Sequence, residues 1–191
     1  MELKRQQFIS KTANLKNTMF LGFLLLVMSV FIMPEAAKEI ERCAHGTFML
    51  DGIFYYSPDK IHTIIGAYGE KGRKLYIAVE LSADFIYGII IALFLCFLII
   101  WSASISKNRM VRFRYFIWLP FLYLLANCME NSGIIFMLCN YPKPLYLLAL
   151  ATLFFSFAKF ILLLACLILI SWNLVIYAKT KSNPSPPINT F

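Results

Sequence analysis

Four long apolar stretches constrain the fold of this chain more than any other feature of its sequence. They cover residues 17–33, 77–104, 115–139 and 145–177. A helix needs about 20 mainly apolar residues to cross roughly 30 Å of bilayer hydrocarbon, and each stretch reaches or approaches that length. Hydrophobic residues make up 60% of the chain, well above the roughly 45–50% of a soluble domain. We therefore predict an all-α, polytopic membrane protein, a four-transmembrane-helix bundle with a short helical cap outside the cytoplasm.

Basic residues are distributed unevenly among the segments that flank these stretches. Residues 1–16, 105–114 and 178–191 carry a clear excess of Lys and Arg, whereas residues 34–76 balance basic and acidic side chains and residues 140–144 contain a single lysine. Lys and Arg next to membrane spans are retained on the cytoplasmic side. We expect both termini in the cytoplasm and the cell (cytoplasmic) membrane as the location. The Pro-rich tail is typical of a disordered segment.

The first stretch has a rival interpretation as a cleaved signal peptide, because a basic start precedes its apolar run. Pro34 and Glu35 directly after the run make a poor cleavage site, so we favour an uncleaved span.

The net charge of +8 is explained by the basic flanks, where topology and anionic headgroups account for it. The lipid bilayer is therefore the expected partner, with a second copy of the chain or another membrane protein as a further alternative. No basic stripe interleaved with aromatics forms a separate module, so we expect no nucleic acid.

The 34–76 loop contains two helix signals of its own. The acid-rich run PEAAKEIER starts the first helix, and Ser57 before Pro58 is an N-cap followed by a favourable first-turn proline. Isoleucines recur at helical spacing after that proline, which favours an amphipathic cap packed on the bundle over one lying on the membrane surface. Arg73 and Tyr76, which follow the cap, are predicted to lie at the membrane interface.

Polar side chains recur at helical spacing in three of the four predicted spans. They are Tyr76, Glu80, Asp84 and Tyr87 in the second, Tyr123, Asn127, Glu130 and Asn131 in the third, and Thr152, Ser156 and Lys159 in the fourth. Each set is expected to share a helix face that points into the bundle. Ionisable groups at such depth are costly in lipid, so they pair, line a cavity or fasten helices together. The sequence leaves open both a ligand, ion or proton site and a structural cluster.

Glu130 and Lys159 are predicted to form an ion pair near the middle of the bundle. Glu130 lies nine residues before Cys139, the predicted end of its span, and so about 13 Å below that end. Lys159 lies 14 residues after Leu145, about 21 Å along a long helix that reaches less depth if it tilts. Asp84 comes only a few residues into its span and is expected to lie shallower, as the weaker partner.

The five cysteines show neither a CxxC pair nor metal-ligand spacing, so we predict no metal and no cofactor. Cys43 and Cys139 both fall on the predicted outer side, where a disulfide is one alternative and two free thiols are the other. The chain has no HExxH or GxSxG motif, so an enzyme is the less favoured class and no catalytic residue is assigned.

Several of these residues form a longer pattern. It consists of Gly69, Gly72, Arg73 and Tyr76 as GxxGRxxY, then Asp84, Glu130 with Asn131, Tyr141 with Pro142, and Lys159. Over roughly residues 55–160 the chain resembles a family of small, uncharacterised bacterial four-helix integral membrane proteins. The resemblance implies a four-helix fold and no particular function. The chain departs from the pattern at Asn127, where an acid is expected, and this bears on any proton chemistry shared with the family.

Three function classes remain. The sequence favours an accessory or assembly subunit, whose polar residues fasten the helices and whose loops recruit a partner. The alternative is a module that binds or transports a small molecule, an ion or a proton. Because carriers usually draw on two symmetric halves, four helices would then act as an oligomer. A membrane-embedded enzyme is the second alternative.

Overall fold

The computed structural model describes residues 12–44, 46–47, 49–50, 58–106 and 116–182. Within these ranges the chain is helical almost throughout and forms no strand. The α-helices are α1 (Leu15–Val27), α2 (Met33–Cys43), α3 (Pro58–Ala67), α4 (Gly69–Val79), α5 (Phe85–Ser106), α6 (Trp118–Cys139) and α7 (Tyr146–Ser182). Two π-helical segments, Met28–Ile32 and Glu80–Asp84, join α1 to α2 and α4 to α5 without a break.

Four continuous helices are long and apolar enough to cross a membrane. They are Leu15–Cys43, Gly69–Ser106, Trp118–Cys139 and Tyr146–Ser182. Even the shortest has 22 residues, which rise about 33 Å and match the roughly 30 Å of bilayer hydrocarbon. The prediction of an all-α bundle with four membrane-crossing helices is confirmed.

The first of these helices continues through Pro34, where the apolar run of the sequence ends. Proline has no N–H, and its ring clashes with the carbonyl four residues earlier in a regular helix. The π segment Met28–Ile32 lies directly before it, and the Met33 N–H bonds to the Met28 carbonyl, five residues back. Pro34 then falls in the first turn of α2, where proline is tolerated. The helix expected after the first span is therefore present but continuous with it.

Helices α5, α6 and α7 all pack against one another, and α1 packs on α5. Two glycines allow the close approach of α6 to its neighbours. A Cβ at Gly133 of α6 would collide with the Thr152 side chain of α7, and a Cβ at Gly88 of α5 would lie 2.8 Å from Nδ2 of Asn127. Because these positions carry no side chain, polar groups from three helices come together inside the bundle.

Helices α2, α3 and α4 pack at one end of the bundle, which we call the cap end. Ile61, Ile65 and Tyr68 are at most 4% exposed, and they share one apolar cluster with Ile134 and Met137 of α6. This confirms that the cap packs on the bundle. A smaller apolar cluster lies further from the cap end and consists of Leu95, Ile99, Cys166 and Ile170.

Candidate functional site: a buried polar cluster

Asp84 is held between helices α5 and α6 by two amide groups. It ends the second π segment and is 8% exposed. Its Oδ2 atom accepts a hydrogen bond from Nδ2 of Asn131 at 2.6 Å and another from Nδ2 of Asn127 at 3.2 Å. Gly88, one turn further along, gives the Asn127 amide room to approach. A carboxylate therefore lies in the bundle interior with two neutral hydrogen-bond donors.

The Asn131 amide has a second polar atom, its carbonyl oxygen Oδ1. Asn131 is 5% exposed, and within the described residues its Oδ1 atom has no hydrogen-bond donor. Its orientation is set by chemistry, because only Nδ2 can donate to the carboxylate. A buried carbonyl oxygen without a donor is uncommon and costs about 1–3 kcal/mol. The site thus contains a carboxylate and, on one of the residues that bond to it, a carbonyl oxygen without a donor among the described residues.

Glu130 anchors the contact between α6 and α7. It is fully buried, its Oε1 atom accepts a hydrogen bond from Oγ of Ser156 at 2.6 Å, and its Oε2 atom forms an ion pair with Nζ of Lys159. The Lys159 side chain is 13% exposed. Thr152, one turn before Ser156, donates its hydroxyl to the Leu148 carbonyl. Glu130 and Lys159 thus meet, as their spacing predicts.

The polar residues of α6 point toward two different neighbours. Asn127 and Asn131 bond to Asp84 in the second π segment, whereas Glu130 bonds to α7. Successive residues of a helix are rotated by about 100°, so adjacent positions 130 and 131 diverge by that angle. The expectation that each helix presents a single polar face is therefore too simple for α6. Tyr123, the remaining member of that set, is also buried.

Asp84 lies deeper than the sequence predicts. Its partners Asn127 and Asn131 flank Glu130 along α6, so the two carboxylates lie at similar depth. The expectation of a shallower Asp84 is wrong because the first turns of its long helix, from Gly69 onward, are covered by the cap rather than by lipid. The apolar run therefore begins after the helix has already entered the bundle.

Other predicted site residues lie outside these two groups. Glu80, at the start of the second π segment, is 1% exposed. Tyr87 shares a hydrogen bond of 3.0 Å with Ser29 of the first long helix. Tyr76 is fully buried in the protein, and its hydroxyl accepts a hydrogen bond from the Leu50 N–H at 2.8 Å; its place at the membrane interface stays a prediction. Its burial follows from the cap that covers α4.

All five cysteines are free thiols in the structure. Cys43 is half-buried and packs toward α4, with its Cβ only 3.0 Å from the position of a Cβ at Gly72. Cys139, at the end of α6, is exposed. The disulfide alternative is therefore not formed in the structure. Within the described ranges no three His, Cys, Asp or Glu side chains group as a metal site requires.

A polar pair further from the cap end was missed at the sequence level. Nδ2 of Asn173 donates to Oγ of Ser102 at 3.2 Å, and both residues are fully buried. The available signal was an asparagine inside the long apolar run of the fourth span, where polar side chains usually bond to a neighbouring helix. A single such residue does not reveal which helix supplies its partner.

Comparison with protein-family models, with curated proteins and with solved structures finds no match to this chain. The resemblance to small bacterial four-helix membrane proteins therefore stays a prediction, and function is argued from the site.

Proposed function

We propose that the protein is a membrane-embedded binding module that holds a proton or a small cation at Asp84. One observation carries the proposal. The Asp84 carboxylate is 8% exposed and bonds to two neutral amides, and no cationic side chain of the described residues contacts it. An ion without a counter-charge costs several kcal/mol in such surroundings. A positively charged ligand removes that cost.

The charges of the neighbouring group support the same conclusion. Lys159 forms its ion pair with Glu130, so its ammonium group already balances one carboxylate. That ammonium group is therefore engaged by Glu130, and a proton or a bound cation would neutralise the Asp84 carboxylate.

The unused carbonyl oxygen of Asn131 supplies a second ligand atom. Oxygen atoms of carboxylates and amides are the ligands that small hard cations prefer, and they also accept hydrogen bonds from a protonated group. Nδ2 of the same amide donates to Asp84, so this hydrogen bond also holds the amide group that carries Oδ1. The second π segment adds support, since such segments are frequent at functional sites.

The rival interpretation is that these residues form a structural contact between helices, without a ligand, in an accessory or assembly subunit. Hydrogen bonds between polar side chains commonly fasten membrane helices, and the bonds from Asn127 and Asn131 to Asp84 would then only hold α6 against α5. Under this interpretation the function lies in a partner protein. The two interpretations differ in whether the stability of the protein depends on a cation or on pH through Asp84.

The test is thermal unfolding of the protein, purified in a mild uncharged detergent, across lithium, sodium, potassium and calcium chlorides and across pH. A ligand at 100 times its Kd stabilises the folded protein by about 2.7 kcal/mol, which raises Tm by roughly 5–10 °C for a chain of this size. Stability should rise with one of the cations, or as pH falls if the ligand is a proton. Asp84→Asn should abolish that dependence, because it removes the charge and keeps one oxygen for the amides.

Glu70→Gln is the matched control, because Glu70 is an exposed acid near the start of the same long helix and forms an ion pair with Lys74. It should keep the wild-type dependence. If neither a cation nor a change of pH stabilises the wild type through Asp84, the cluster is a structural contact only. The accessory role then becomes the better proposal.

We further propose that the cap end faces outward from the cytoplasmic membrane and that both termini lie in the cytoplasm. The excess of Lys and Arg in residues 1–16 and 105–114 supports this orientation. If the module also transports its ligand, four helices favour a dimer or a larger oligomer, because alternating access usually uses two symmetric halves.

A further inference from the structure

Tyr141, in the turn between α6 and α7, is contacted by two side chains of the cap. The guanidinium carbon of Arg73 lies 4.4 Å from the centre of its ring, and the His62 ring stacks on it with centroids 4.9 Å apart. Nε2 of His62 also donates to the Pro142 carbonyl at 2.6 Å. These contacts join α3, α4 and the turn, and they fix the position of the guanidinium group.

The hydrogen-bond donors of Arg73 are not used within the described residues. The nearest acid along the helix, Glu70, forms its ion pair with Lys74 instead. A guanidinium group stacked on a ring keeps its N–H donors in the plane, where they match the oxygens of a phosphate. Arg73 is half-buried, so this is a positioned cation rather than a freely moving surface side chain.

The surroundings of Tyr141 add a second cation and an apolar wall. Lys143 is exposed two residues later in the same turn, and with His62 and Tyr141 it lines a shallow pocket. The rest of the lining is mainly apolar and consists of Ile61, Ile65, Met137, Pro144 and Leu145. Positive charge beside an apolar wall fits an amphiphile with an anionic head.

The position of the turn at the ends of two membrane-crossing helices favours a lipid headgroup as the anion. Helix α6 ends at Cys139 and α7 begins at Tyr146, so Tyr141 lies where two membrane-crossing helices end. Lipid headgroups occupy about 5–7 Å beyond the hydrocarbon at each surface. We propose that Arg73 binds the headgroup phosphate of an anionic phospholipid, that Lys143 adds a second positive charge from the turn, and that the glycerol and upper acyl chain lie against Ile61, Met137 and Leu145. This site is separate from Asp84, and it does not depend on which surface the cap end faces.

Native mass spectrometry of the detergent-purified protein tests the proposal. The protein is titrated with phosphatidylglycerol, with phosphatidylcholine of the same chains, and with phosphatidylglycerol in the presence of inorganic phosphate. We expect phosphatidylglycerol to bind more tightly than phosphatidylcholine, and Arg73→Gln to weaken its binding about tenfold, since charge-assisted hydrogen bonds are lost.

Lys71→Gln removes the same charge from an exposed position on the same helix and should change binding by less than twofold. Equal losses for Lys71→Gln and Arg73→Gln would show diffuse attraction and overturn the site. Equal affinity for the two lipids would also overturn it, and full competition by inorganic phosphate at millimolar concentration would show a soluble phosphate site instead. Because Arg73→Gln can affect folding, Arg73→Lys, which keeps the charge and loses the planar fork, should retain only part of the binding.

Discussion

The ion pair of Glu130 and Lys159 allows a sharp test of how the bundle interior is stabilised. Lys159→Met leaves the fully buried Glu130 carboxylate with Ser156 as its hydrogen-bond donor, and stranding a buried charge costs about 3–5 kcal/mol. Glu130→Gln keeps an oxygen for Ser156 and leaves Lys159, whose side chain is 13% exposed, so a smaller loss of about 1–3 kcal/mol is expected. The two single variants should therefore differ in a defined order.

The double variant is the decisive measurement. With both charges removed, neither is left alone, and the loss should not exceed the larger single loss, which corresponds to a coupling energy at least as large as the smaller single loss, about 1–3 kcal/mol. Reversible unfolding in mild detergent, followed by circular dichroism, gives the three free energies of unfolding. Lys38→Met, which breaks an exposed pair with Glu35, should change stability by less than about 0.5 kcal/mol. Single losses that add to within about 0.5 kcal/mol would refute the pairing.

Three further predictions concern the same bundle. Ser156→Ala removes the hydroxyl that donates to the buried carboxylate and should lower stability by about 1.5 kcal/mol in the same unfolding assay. Gly133→Ala should cost about 1–3 kcal/mol through overpacking, and Thr152→Ala in the same chain should recover part of that loss; no recovery would mean that the two helices do not meet there. In a cysteine-free background, a cysteine at Lys60 should react with a membrane-impermeant thiol reagent in intact cells and one at Ser106 should not, and labelling of the latter would reverse the proposed orientation.

The features that sequence predicts well here are those that depend on position along one helix. Apolar length alone locates four membrane-crossing helices, and Pro58 signals the start of the cap helix α3; the predicted N-cap Ser57 lies outside the described residues. The meeting of Glu130 and Lys159 follows from counting residues from the ends of two adjacent helices, since each residue adds a fixed rise. None of these inferences requires knowledge of how the helices are rotated about their axes.

The features that sequence does not predict depend on rotation and on neighbours. Asn131 and Glu130 point in directions about 100° apart, so the rotation of α6 about its axis decides which neighbouring helix each one faces. That rotation depends on close packing at Gly88 and Gly133. The depth of Asp84 depended on the cap, because a helix covered by protein can enter the bundle with polar turns. Tyrosine is a residue type typical of membrane interfaces, yet Tyr76 is surrounded by a protein core.

The second π segment, Glu80–Asp84, has a consequence for how this chain tolerates changes in length. Buried positions in its long helix recur every four residues, at Gly72, Tyr76, Glu80, Asp84, Gly88 and Ala92. In a regular α-helix four residues rotate by about 40° more than one full turn, so each step would turn the buried face further from the bundle. A π segment accommodates one extra residue in its turn and so rotates the buried face back toward the bundle. Deleting a single residue here would restore a regular helix and swing Asp84 away from α6 while the cap end kept its contacts, so this short segment sets the rotational phase between the two halves of the helix.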